Sequence, residues 1–199
     1  MTKRVTAAST LGLVAAALAL VLGVVACGDL TRPKPQTSNF TDTITVYAIN
    51  GTPLDVPTGL WLYGGSAVVL NASFSFDLAF DLDTQGAATM YTVRAVAGGL
   101  STAHRVGLQR ASGSFESLES APKTGFVNDT LFAISVGDVF VVQSTDPSSP
   151  CLYSTYSSQF FAKLQILAID AGPRTVQTRF TVNPNCGFVS LIPSGVPKD

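Results

Sequence analysis

Apolar and polar residues alternate with a period of two along much of the chain, most regularly between Phe74 and Asp83. This alternation predicts a half-buried β-strand, because successive side chains of a strand point to opposite faces. The apolar face consists of Phe74, Phe76, Leu78, Phe80 and Leu82. The opposite face consists of Ser75, Asp77, Ala79, Asp81 and Asp83. Five buried side chains at about 1.5 to 3 kcal/mol each would make this strand the organiser of the core, with its three carboxylates in solvent.

Nine further segments have strand-like patterns and are separated by turns rich in Gly, Pro, Asn and Ser. They are 43–49, 60–63, 67–70, 89–96, 102–109, 130–135, 138–144, 160–169 and 174–182. The apolar run in 138–144 predicts burial on both faces, and the last two segments predict a hairpin. One short helical turn is expected at 114–119, where Ser114 can act as a cap. The chain is therefore predicted to be all-β, with about ten mostly antiparallel strands in a two-layer β-sandwich or an open barrel.

The first 26 residues differ from the rest of the chain. Lys3 and Arg4 precede an uncharged apolar run that reaches Ala26, a pattern typical of a secretory signal peptide. The predicted organisation is a lipoprotein signal peptide at 1–26, a lipidated cysteine with a flexible tether at 27–39, and a single β domain at 40–199.

The signal peptide ends in Val24-Val25-Ala26-Cys27, followed by Gly28. This motif resembles the lipobox of bacterial lipoproteins. The resemblance implies cleavage before Cys27, acylation of that cysteine and attachment to a membrane of the cell envelope. Gly28 stands where an Asp often signals retention in the inner membrane, so the outer membrane is favoured. A transmembrane anchor with an incidental cysteine is the alternative, although the apolar run is short for a span.

Charge narrows the range of partners. Without Lys3 and Arg4 the chain keeps 10 Lys and Arg against 13 Asp and Glu, which gives a formal charge of −3. No basic patch is evident, which argues against nucleic acid. The partners predicted are the membrane, through the lipid anchor, and an envelope protein.

Cys151 and Cys186 form an even pair in a chain predicted to be exported, and they flank the C-terminal hairpin. A disulfide is therefore predicted. A reactive thiol and a metal site are the alternatives, and neither has neighbouring histidines.

The acidic face of the strand between Phe74 and Asp83 is a candidate metal site. Asp81, Asp83 and Gly86 match positions 1, 3 and 6 of an EF-hand loop, but Thr92 stands where the bidentate Glu is needed. A solvated strand face is the favoured interpretation. A weak calcium site to which Asp77 contributes is the alternative.

His104 is the only histidine, and Met90 is the only methionine after the initiator. His and Met can both serve as axial haem ligands. A Ser-His-Asp hydrolase would have to use His104, and the sequence contains no G-x-S-x-G, S-x-x-K or H-E-x-x-H motif.

Two parts of the chain, Phe-Asp-Leu-Ala-Phe at 76–80 and the strands at 139–142 and 161–167, resemble the HmuY-type haem-binding lipoproteins. The resemblance implies an all-β fold that holds haem at the cell surface through His or Met side chains. Phe76 stands where that family has Trp, and one histidine cannot form a bis-histidine site. The leading hypothesis is a lipid-anchored envelope module for binding or structure, without identified catalysis or cofactor. The alternatives are a haem binder that uses His104 and Met90, and a hydrolase that uses His104.

Overall fold

A computed structural model describes residues 33–73, 75–98 and 103–197. Its elements, in chain order, are β1 (Phe40–Tyr47), β2 (Gly59–Trp61), β3 (Ser66–Val68), β4 (Leu78–Leu82), β5 (Ala88–Thr92), α1 (Val93–Ala97), β6 (Val106–Arg110), β7 (Val127–Asn128), β8 (Leu131–Ile134), β9 (Val139–Ser144), a 3-10 helix (Pro150–Tyr153), β10 (Phe160–Asp170) and β11 (Thr175–Asn183).

The strands form two antiparallel sheets. One has six strands in the order β1-β11-β10-β9-β6-β7, and the other has five in the order β3-β2-β4-β5-β8. Large side chains from both sheets meet in one core, among them Phe80 and Met90 from the five-stranded sheet and Phe140, Leu164 and Phe180 from the six-stranded one. The prediction of an all-β, two-layer fold is confirmed.

Strand β4 lies at the centre of the five-stranded sheet, and its apolar face is buried as predicted. Phe76, Leu78, Phe80 and Leu82 are at most 2% exposed, while Phe74 lies outside the described residues. The solvent position predicted for Asp77 is wrong, because its side chain is 0% exposed. The strand begins only at Leu78. Asp77 is held at a bend just before it, where polar partners from other segments meet its carboxylate.

Helical structure lies elsewhere than predicted. The segment 89–96 is a strand only to Thr92, and Val93 then begins α1. This helix ends at Ala97 and is followed by Gly98 in a left-handed conformation with φ 59°. The Val93 amide donates to the Asp77 carbonyl, at 3.0 Å, where the chain changes direction. Where one helical turn is predicted, at 114–119, residues 115–117 form an isolated turn, and the Ser114 hydroxyl accepts from the Ser117 amide as its predicted capping role requires.

Strands β8 and β9 follow one another in the chain but belong to different sheets. Strand β8 pairs with β5, whereas β9 pairs with β6 and β10. The connecting turn is closed by two bonds, from the Ser135 amide to the Asp138 carboxylate and from the Asp138 amide to the Ser135 carbonyl. Gly137 has φ 93° there, a conformation that favours glycine. The run Val139–Val142 is buried throughout, as predicted.

The two ends of the sandwich can be told apart by following β1. Phe40 pairs with Val182 and Tyr47 with Thr175, so β1 spans about 23 Å from one end to the other. We call the first end, formed by residues 36–40 and 183–195, the tether end. The opposite end, formed by residues 47–57 and 170–175, is the turn end.

The tether end is closed by hydrogen bonds and a disulfide. The amides of Gln36 and Thr37 donate to Asn185 Oδ1 at 2.9 and 3.0 Å, and Asn185 Nδ2 donates to the Thr37 carbonyl at 2.7 Å. Next to Asn185, Cys186 is bonded to Cys151, which confirms the predicted disulfide. The start of the domain and the segment after β11 are therefore fastened together.

Lys163 of β10 is buried on the outer face of the six-stranded sheet. Its Nζ donates to the carbonyls of Phe115 and Leu118, at 2.7 and 2.8 Å, and lies 4.5 Å from the Phe115 ring centre. Removal from water lowers the pKa of Lys163; Glu116 opposes this shift, and Arg179 adds to it. The ammonium group therefore fastens the turn at 114–119 to the sheet.

Replacing Lys163 by Met is expected to destabilise the protein by about 1 to 3 kcal/mol, because two buried carbonyls lose a charged donor. Hydrogen exchange of the 115–118 amides should accelerate, while Lys123→Met, at an exposed position, should change neither quantity. Because the folded state lowers the pKa of Lys163, the unfolded chain binds more protons between that pKa and 10.5. The stability contributed by this group should rise with pH through that window, and Lys163→Met should lack the rise. Equal stability of the two lysine variants would contradict the assignment.

Within the described residues, no helix is both long and apolar enough to cross a bilayer.

Candidate functional site

Three polar side chains from distant parts of the sequence meet inside the sandwich. Asp77 directly precedes β4, His104 lies two residues before β6, and Ser144 is the last residue of β9. All three are at most 1% exposed. Pairing of Val106 and Phe160 with Ser144 brings these strand ends together toward the tether end. We call this group the buried polar cluster.

The Asp77 carboxylate is the common acceptor of the cluster. Its Oδ1 accepts from the Ser144 hydroxyl at 2.5 Å and lies 3.0 Å from His104 Nε2, and its Oδ2 accepts from the Leu62 amide at 2.7 Å. His104 Nε2 also lies 3.1 Å from Ser144 Oγ. The Leu62 amide and the Ser144 hydroxyl thus both donate to the Asp77 carboxyl group, and His104 Nε2 lies within hydrogen-bonding distance of it. The cluster supplies the hydrogen-bond partners that a buried polar side chain needs.

The buried polar cluster contains the residue types of a hydrolytic triad without the arrangement of one. In a Ser-His-Asp relay the histidine uses one ring nitrogen toward the serine and the other toward the carboxylate. Here Nε2 alone faces both, and Ser144 donates directly to Asp77. The three side chains are also closed off from solvent. The geometry is that of a hydrogen-bonded network that joins three segments of the core.

A second polar contact lies beside the cluster, near the surface. Trp61 Nε1 donates to Asp146 Oδ2 at 2.6 Å, and Asp146 Oδ1 accepts from the Ser148 amide and hydroxyl at 2.8 and 2.6 Å. The indole ring lies so close to Gly64 that a Cβ atom there would collide with it. Burial raises the pKa of the Tyr63 phenol, and the Asp146 carboxylate raises it further. These contacts fix the orientation of Trp61.

The fixed indole forms one wall of a surface depression of about 440 Å³. The rest of its lining is Val68, Val69, Asn71, Ser75 and Ser148. A largely apolar wall with a few hydroxyl and amide groups is the usual make-up of a small-ligand pocket. Sequence patterns did not single out Trp61 or Asp146, because their contact joins the end of β2 to the segment after β9.

The residues singled out for haem or calcium have other contacts. Met90 of β5 is fully buried in the main core, opposite Phe80 and Phe132, while His104 belongs to the buried polar cluster. Haem ligation by these two stays a prediction.

The two acidic side chains after Asp77 on the predicted metal-binding face also bond within the protein. Asp81 accepts from Asn50, and Asp83 Oδ1 accepts from the amides of Gln85 and Ala87 in the β4–β5 turn. Asp77, the third carboxylate of that face, points into the core instead. Across the described residues, no three His, Cys, Asp or Glu side chains are placed to hold a metal ion. Cys27 lies outside the described residues.

Comparisons of the chain with protein-family models, with curated proteins and with solved structures find no match.

Proposed function

We propose that the chain is a lipid-anchored module of the bacterial cell envelope, attached through acylated Cys27 after removal of residues 1–26. In this proposal the β-sandwich is a non-catalytic binding or structural domain at the outer membrane, and its exposed loops contact an envelope protein. It binds no nucleic acid.

The observation that carries the proposal is the way in which the chain joins the sandwich. The backbone is hydrogen-bonded to Asn185 from Gln36 onward, beside the disulfide. Only nine residue steps separate Cys27 from Gln36. A short polar segment that ends on a rigid, cross-linked domain suits a lipid anchor that keeps the domain close to a membrane.

The buried polar cluster supports a structural role for His104. The three side chains of the cluster are at most 1% exposed, and the contacts of His104 Nε2 are those of a packed network. Haem ligation through Nε2 would require His104 to leave both Asp77 and Ser144. The haem and hydrolase hypotheses therefore gain no support from the geometry.

Replacing Cys27 by Ser is the test of the proposed anchor. In the native host, the wild-type protein should fractionate with membranes, and its N-terminal peptide should carry the mass of acyl chains on Cys27. The Cys27→Ser variant should lose that mass completely and keep residues 1–26, because processing of the signal depends on the acylated cysteine.

The double variant Cys151→Ser/Cys186→Ser is the matched control. It removes two cysteines from the same chain and should leave the acyl mass on Cys27 unchanged. An unmodified N-terminal peptide in the wild-type protein would overturn the proposal, even if the protein sediments with membranes, because an uncleaved apolar segment could also hold it there.

A further inference from the structure

The tether end carries exposed apolar side chains on a rigid support. Tyr153 is 85% exposed, Tyr156 48% and Leu152 46%. All three lie in residues 150–156, which we call the tyrosine loop. The loop is fixed by the Cys151–Cys186 bond and by packing of Tyr156 against Phe188, with ring centres 5.6 Å apart.

The tyrosine loop lies beside the point where the chain joins the domain. Cys186 is bonded to Cys151 of the loop, and the neighbouring Asn185 binds the backbone of Gln36 and Thr37. Nine residue steps from Cys27 reach no more than about 32 Å when fully extended. If acyl chains hold Cys27 in a bilayer, as the proposed function states, this end of the sandwich stays within that distance of the bilayer.

The composition of the loop suits the interfacial region of a bilayer. Between Asp146 and Lys163 the chain has no charged residue, so contact with lipid requires no desolvation of a charge. Tyrosine is enriched at the level of the headgroups because its ring is apolar and its hydroxyl polar. In the tether sequence, Arg32 and Lys34 against Asp29 leave a net charge of +1, which anionic headgroups attract.

We propose that the tyrosine loop is a second membrane contact, which orients the sandwich with the tether end against the bilayer and the turn end away from it. The inference rests on the proposed function, since the anchor supplies the proximity. The partner is the lipid interface itself. The bound loop would restrict rotation of the domain about its tether and direct the turn end away from the membrane.

Depth-dependent quenching tests this orientation in the full acylated protein. The Tyr153→Trp variant is incorporated into phosphatidylglycerol-containing vesicles whose acyl chains carry bromine near the headgroup. The matched control is Leu54→Trp, at a side chain 95% exposed at the turn end. Trp61, the only tryptophan of the wild-type chain, gives the same background in each protein. After the Trp61 signal is subtracted, we expect quenching at position 153 to be at least about twofold stronger than at position 54. We also expect the emission maximum of the tryptophan at position 153 to shift to shorter wavelength.

Flotation of the vesicles separates this inference from the proposed function. If the protein floats with the vesicles but position 153 is not quenched, the lipid anchor is supported and the membrane contact of the tyrosine loop is overturned. Equal quenching at the two positions overturns the proposed orientation. If the acylated protein does not float, both proposals fail.

Discussion

Replacing Asp77 by Ala is expected to destabilise the folded domain by about 3 to 5 kcal/mol. The change removes the acceptor shared by His104, Ser144 and the Leu62 amide, at a site that water does not reach. The donors left behind lose their partner without gaining hydration, which is the most unfavourable outcome for buried polar groups. Urea unfolding followed by circular dichroism measures the change in free energy.

Asp42→Ala is the control for this prediction. The Asp42 side chain is exposed and accepts only from the neighbouring Thr43 amide among the contacts that the structure describes, so we expect a change within about 0.5 kcal/mol. The double variant Asp77→Ala/Ser144→Ala should be less destabilised than the sum of its single variants, because the two side chains share one bond. A loss below about 1 kcal/mol for Asp77→Ala, or strict additivity, would show that the cluster does not support the core.

The sheets could be predicted from sequence because burial of apolar side chains dominates their energetics. In β4, alternation places Leu78, Phe80 and Leu82 on one face, and the structure buries them. Val176, Thr178 and Phe180 of β11 also alternate along their strand, and all three are buried. Local periodicity is sufficient to predict strand faces where the free energy of folding comes mainly from apolar surface removed from water.

The buried polar cluster could not be predicted in this way. Period-two reasoning assigns Asp77 to solvent because a lone carboxylate is unfavourable in a core. Its burial depends on His104 and Ser144, which are 27 and 67 residues away and become neighbours only when the strands pair. Hydrogen-bond donors from distant segments do not change the pattern of apolar and polar residues around Asp77.

Helix α1 was missed for a related reason. The segment 93–97 is apolar apart from Arg94 and contains the β-branched Val93 and Val96, so nothing in these residues themselves excludes a strand. The Val93 amide instead bonds to the Asp77 carbonyl, and Gly98 allows the left-handed turn that ends the helix. Lys163 was likewise assigned no role, because its acceptors are the carbonyls of Phe115 and Leu118, which only the tertiary structure brings next to it.

Removing the disulfide by Cys151→Ala/Cys186→Ala is expected to lower the free energy of unfolding by about 4 kcal/mol, given the sequence separation of 35 residues. In the chain-entropy model the bond acts mainly on the unfolded state, so its loss should also raise the urea m-value by letting the unfolded chain expose more surface. Asp77→Ala acts on the folded core and should leave the m-value unchanged. Tyr153→Ala, a change at an exposed side chain in the same loop, should leave both quantities within error. A stability loss in the double cysteine variant with an unchanged m-value would assign the effect of the disulfide to contacts at the folded tether end instead.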